Sequence, residues 1–335
     1  MSMNRSSGYA YGGLEDIRAR YGGERLRSYF REVAARRRQQ AVTLVNDRGL
    51  LFYSLYLLMP EIESQGMVLQ LDARNLEAFR VSATVLKDPR LQQSVQTVPE
   101  ADAQTQHNVL KWMLQTGAAD DGVDNSFDGV LDAAAALLSR HYKDSNVLPI
   151  MADLIFKRNR SSHLIHDIAW AYFSSCDPLT LRLVAGYLRS SSDQDYELAC
   201  LLLGLNPLPP DSRAAEQQKQ YTDYIRWLGE NYDYLYATGE SFQQTSNPMP
   251  FVVNPEAKYL GKAVSPAENT LLAPLTAEEN ALLDEVNRLA PEDIYLLTDY
   301  SARLREKSLG EWRQLLIRPV SEQLAAARAA AGGAV

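Results

Sequence analysis

The sequence predicts an all-α protein: stacked antiparallel helix hairpins in a solenoid-like arrangement, a long aromatic helix, and a C-terminal cluster of short helices. Two observations carry this. Apolar residues recur at three- and four-residue spacing through most of the chain. Helix-start signals punctuate it, with "DP" at 177–178, "SPAE" at 265–268, "TAEE" at 276–279, "APED" at 290–293 and "SLGE" at 308–311.

The elements follow in order. Residues 1–13, rich in Ser, Gly and Tyr, read as a mobile arm. The segment 14–104 reads as an N-terminal helical region. From Glu24, the residues Leu26, Tyr29, Phe30, Val33, Ala41, Leu44 and Val45 make one apolar stripe, stopped by "NDRG" at 46–49. The run "LLFYSLYLLM" (50–59) reads as a buried segment ending at Pro60. Within 67–98, "MVLQL" and "FRVSATVL" alternate enough for a small β element, although both also fit helices.

The segment 105–205 reads as a helix-hairpin repeat region. Ile150, Phe156, Arg158 and Ile165 recur, at one fixed offset, as Leu181, Tyr187, Arg189 and Tyr196. Hairpins of this kind bury their apolar faces only by stacking. Asp177 before Pro178 marks a helix start, and Asp193 reads as the cap of the next. "NPLPPD" (206–211) breaks the pattern and opens a C-terminal helical region, 206–335. Its first helix, from about Ser212 to Ala237, carries Tyr221, Tyr224, Ile225, Leu228, Tyr232 and Leu235 on one stripe. A Pro-rich strap at 247–266 follows. Prolines 248, 250 and 255 forbid helix, so "PMPFVVNP" is expected to be extended with Phe251 buried, and "EAKYLGK" to form one helical turn stopped by Gly261. The tail "AAARAAAGGAV" is helix-prone as far as Gly332.

Composition narrows the function. The chain has 335 residues, 46% hydrophobic and 23% charged, with net charge −8. That is a soluble globular balance. It lacks the positive excess that nucleic acid or anionic lipid attracts. The longest apolar run is too short to span a membrane, and the first residues hold no signal-peptide core. Cys176 and Cys200, both in apolar helical patterns, read as buried free thiols in a reducing compartment. A cytoplasmic protein is the expectation.

Several segments invite a chemical reading. Gly261-Lys262 does not complete a P-loop, since Glu256 and Ala263 stand where glycine and a hydroxyl are needed. The acidic loop 120–132 places Asp124, Ser126, Asp128 and Asp132 at EF-hand positions, but Ala135 replaces the bidentate glutamate. Weak calcium binding is therefore one reading; the plainer one is an N-terminal helix cap. His163 and His166 have helical metal spacing without a third ligand, and read as structural. The arginine-rich run 18–38, ending in Arg36, Arg37 and Arg38, is interleaved with Glu24 and Glu32. It reads as a solvated or intersubunit face, complementing 120–132 of a neighbour, in preference to a nucleic-acid contact. The rings Tyr224, Trp227, Tyr232 and Tyr236 are too dense for one core face and suit a protein contact.

No catalytic constellation and no cofactor motif is legible. The leading reading is a non-enzymatic interaction or scaffold protein that binds a protein partner or itself through Phe251, Val252, Tyr224, Trp227, Tyr232, Tyr236 and Arg36–Arg38. The second is a structural subunit of a homomeric or phage-like assembly, locked by arm and strap. The third is an enzyme of a class the residues do not name.

Overall fold

The computed structural model describes residues 13–332. Among these the chain is all-α, with seventeen α-helices and one two-stranded sheet. The arm read over 1–13 lies outside the described residues except for Gly13. The chain divides into two compact units, one ending at Tyr172 and the other starting at Phe173. The division falls inside 105–205, the region read as one repeat array, and well before "NPLPPD".

The first unit comprises α1 (Leu14–Arg36), α2 (Arg38–Val45), α3 (Phe52–Ser64), α4 (Ala73–Leu86), α5 (Pro89–Val95), α6 (Ala103–Gly117), α7 (Asn125–Ala136), α8 (Leu148–Arg160) and α9 (His166–Phe173). The expected stripe buries Leu26, Phe30, Ala41 and Val45. Helix α1 begins ten residues before Glu24 and kinks at Gly22, whose φ of 80° only glycine adopts without strain. Helix α4 packs against α3, α5, α6 and α7.

Three expectations are corrected here. No strand forms in 67–98. Asp72 accepts the Asn75 N–H at 2.8 Å, and Ala78, Phe79, Ser82 and Ala83 bury on one side of α4, so cap and packing decide for helix. Helix α3 does not end at Pro60 but runs through it to Ser64. The proline forfeits one hydrogen bond, yet it faces solvent while Leu58, Met59 and Ile62 are fully packed around it. His163 is not on a helix with His166. The His163 N–H closes the end of α8 on the Arg158 carbonyl (2.9 Å), with Ser162 at φ 57°. Both rings are exposed, so neither faces the core.

The second unit comprises α10 (Leu179–Gly186), α11 (Asp193–Leu203), α12 (Pro210–Asn231), β1 (Leu235–Ala237), β2 (Phe251–Val253), α13 (Pro255–Leu260), α14 (Ala277–Val286), α15 (Pro291–Lys307), α16 (Leu309–Leu316) and α17 (Val320–Gly332). Asp177 Oδ1 accepts the Leu179 N–H at 2.9 Å and so starts α10. Helix α11 is capped by Ser192, not Asp193, which sits one residue inside and pairs with Arg213. Cys176 lies in the turn between α9 and α10 at φ 55°, not on a helix; Cys200 is buried in α11, and both are free.

Helix α12 stops at Asn231, short of the expected Ala237. The Asn231 side chain donates to the Trp227 carbonyl (2.7 Å), and the chain after it is taken into the β1–β2 ladder. "SPAE" makes a turn, not a helix. Ser265 N–H and Leu272 N–H bond to the carbonyls of Thr270 and Ala263, a hairpin that holds the segment open. "TAEE" forms a complete capping box between Thr276 and Glu279, and Ser308 caps α16. Tyr259, Leu260, Leu283, Val286, Leu297 and Val320 form the core of this end.

Candidate functional site

The second unit carries an open apolar groove of about 680 Å³, within the range of ligand-binding clefts. Three elements build it. The end of α11 supplies Leu202 and Leu203, and the loop after it supplies Leu205 and Leu208. Helix α12 presents Glu216, Lys219, Gln220, Asp223, Tyr224 and Trp227, which lie on one face by their three- and four-residue spacing. The strap supplies Met249 through Val253.

Local chemistry holds each wall in place. Gly204 ends α11 at φ 65°, and a Cβ there would stand 3.0 Å from Met249 Sδ. Glycine is therefore required both for the turn and for the approach of the strap. The buried Tyr196 hydroxyl donates to Gln220 Oε1 and accepts the Leu208 N–H, both at 2.8 Å, which pins the "NPLPPD" loop to α12. The strap is tied at both ends. Thr238 Oγ1 donates to the Met249 carbonyl (2.6 Å), Met249 N–H donates to Glu240 Oε2 (2.8 Å), and Asn254 caps α13 at Ala257 (2.9 Å).

Phe251 is buried, 5% exposed, and the strap is extended as far as Asn254, as expected; Pro255 instead opens α13, which Gly261 stops at φ 64°. Tyr224 is buried with its ring 5.4 Å from that of Trp227, and burial raises its hydroxyl pKa. Trp227 is 38% exposed.

Thus Phe251, Val252, Tyr224 and Trp227, singled out from two separate stretches of sequence, line one groove. Tyr232 and Tyr236 do not line it; Tyr236 pairs with Val252 across the sheet, and Tyr232 is exposed beyond the end of α12. Arg36, Arg37 and Arg38 belong to the first unit and are exposed there. Arg36 pairs with Glu32, Arg37 reaches Gln40, and Arg38 donates to the carbonyls of Gln65 and Gly66. Lys262 pairs with Glu279 and donates to the Pro274 carbonyl, both at 2.7 Å. The leucines of the groove floor went unread. Their signal was Leu205 and Leu208, apolar residues in a breaker segment that would be costly to leave in water.

The acidic loop is committed to its own unit. Asp124 Oδ1 accepts the N–H groups of Ser126 and Phe127 and caps α7. Asp128 accepts the Gly122 N–H (2.8 Å), and Asp120 holds Arg18 (2.7 Å), so this part of the expected intersubunit pairing is made within the chain. Arg158 is buried between Asp121 (2.6 Å) and Asp132 (2.9 Å). Of the four residues of the calcium reading, Ser126 gives its backbone N–H to Asp124, while Asp128 and Asp132 are bonded to Gly122 and Arg158. Among the described residues no three His, Cys, Asp or Glu side chains gather as a metal-holding group.

Burial pushes the Asp132 carboxyl up to about 6, against the opposing hydrogen bond from Arg158. The folded protein therefore holds this proton more tightly than the unfolded chain, whose aspartate titrates near ~3.9. Its contribution to stability is present below about pH 4 and is lost as pH rises through 6. Relative to Asp132→Asn, the wild type should lose about 2 kcal/mol between pH 4 and pH 7 in urea unfolding. Parallel pH profiles of the two proteins would contradict this.

No protein-family model, curated protein or solved structure matches this chain. Among the described residues no helix is long and apolar enough to cross a membrane.

Proposed function

We propose that this is a non-catalytic interaction protein that seats a segment of a partner protein in the groove of its second unit. The observation that carries the reading is the convergence of Phe251, Val252, Tyr224 and Trp227 on one open apolar groove. An aromatic pair with a half-exposed indole is the composition of a protein-contact centre. The charged residues of the groove, Glu216, Lys219 and Asp223, stand on its exposed rim, while the floor is aliphatic. Such a floor supplies contact area and no acid, base or nucleophile. Scaffolding and adaptor roles both follow from a site of this kind.

The test is affinity capture from the native host with the wild type and with Trp227→Asp, a change on an exposed helical face that leaves the core intact. Proteins held by the wild type and lost by the variant support the reading. Capture of the chain itself, lost in the variant, would make the partner a second copy and favour a homomeric assembly. Identical sets from the two baits would refute the groove as an interaction site.

A further inference from the structure

The geometry points to an extended peptide as the groove's occupant, one that adds a third strand along the free edge of β2. This deepens the reading above and rests on it.

The hydrogen-bond ladder identifies the free edge. Thr238 N–H donates to the Pro250 carbonyl (3.0 Å) and Asn254 N–H to the Tyr234 carbonyl (2.8 Å). With Tyr236 opposite Val252 midway between them, the backbone groups of Val252 point toward β1 and those of Phe251 and Val253 point away. The outer edge of β1 is already taken: Ala237 N–H donates to the Pro266 carbonyl (2.8 Å), and Val264 N–H donates to the Asp233 carbonyl (2.9 Å). The outer edge of β2 is not. Among the described residues, neither the N–H nor the C=O of Phe251 or of Val253 has a hydrogen-bond partner on that side.

This edge borders the groove. Side chains at 251 and 253 stand on one face of the strand and that at 252 on the other. A cleft lined by all three runs along the strand's edge and not over one face. An unpaired edge beside an apolar floor selects its occupant. A lipid chain or a docked helix would leave four backbone groups facing hydrocarbon without partners, a cost that a peptide strand removes by bonding to them.

Charge adds a second requirement. Glu216 and Lys219 are exposed on the rim, one turn apart on α12, and neither is in an ion pair with a described residue; Asp223 is held by Arg226 (3.2 Å). Such positions lie about 5–6 Å apart. Side chains two residues apart on a strand are separated by about 7 Å. The occupant therefore carries an acidic residue opposite Lys219 and a basic one two positions away opposite Glu216, with apolar residues turned to the floor.

The experiment uses the full chain and phage-displayed random dodecapeptides, selected on the wild type and counter-selected on Trp227→Asp. The selected peptide is then synthesised and its backbone amides are N-methylated one at a time, which needs no further protein variant. Strand addition predicts that methylation at alternate positions weakens binding by about tenfold or more, with the intervening positions nearly silent. It also predicts that Lys219→Glu weakens binding and that exchanging the peptide's acid for lysine restores it. A flat profile, or one with a period of three to four, would overturn strand addition while leaving the groove as the binding site. Failure to select any peptide that depends on Trp227 would overturn both.

Discussion

Replacing Arg158 by alanine is expected to cost the first unit about 3–5 kcal/mol of stability. The guanidinium is 3% exposed and Asp121 0%. Its Nε and Nη2 donate to Asp121 at 2.6–3.1 Å, and its Nη1 donates to Asp132 at 3.0 Å. Burial alone would lower the arginine's pKa; the two carboxylates reverse that and raise it. Alanine removes the guanidinium that pairs with Asp121 and leaves that carboxylate buried without it. The loss should therefore come from an uncompensated ion and not from missing contact area. The triple variant Arg158→Met, Asp121→Asn, Asp132→Asn distinguishes the two, because it removes all three charges at similar volume. It should recover most of the loss, as neutral replacement of buried ion pairs commonly does. Urea unfolding followed by hydrogen exchange in α7 and α8 reads this unit apart from the other. Equal destabilisation by the single and triple changes would assign the cluster's role to packing.

What the sequence made legible was local. Asp124 caps α7, Thr276 and Glu279 close a capping box, Ser308 caps α16 and Gly261 stops α13, because each of these decisions is taken within four residues of chain. The extended strap was legible for the same reason, since proline acts on its own φ and on the residue before it. Three misreadings needed a distant partner. The alternation in 67–98 yielded to helix once Phe79 and its neighbours had a core to enter. Pro60 was carried through α3 by the packing on both sides of it. Helix α12 ended early because β2, which starts well beyond it at Phe251, takes Leu235–Ala237 into a ladder. The candidate site was legible in part: two stretches of suitable residues could be named, but not their meeting. The pairing of Arg158 with Asp121 was not legible, since an arginine in a helix pattern looks solvent-facing until the fold buries it.

Phe251→Ala is the second large effect, expected to cost the isolated chain about 2–4 kcal/mol, toward the low end of the range for truncating a buried aromatic. The ring is buried, and its strand pairs with β1 of the same chain, with Phe251 opposite Ala237. The strap is thus an internal wall, and a void there is felt without any neighbour. The cost stays moderate because one side of the strap opens to the groove and Met249, itself exposed, can move into the space. Val252→Ala, at a half-buried position, should cost less than about 1 kcal/mol, since only part of two methyl groups leaves the interior. Thermal unfolding at two protein concentrations tenfold apart separates an internal strap from an arm that locks a neighbouring subunit. An internal strap gives the same fall in Tm at both concentrations. An arm would leave the dilute protein untouched by Phe251→Ala and lower Tm only where copies associate, which would overturn the placement of the strap as a wall of its own groove.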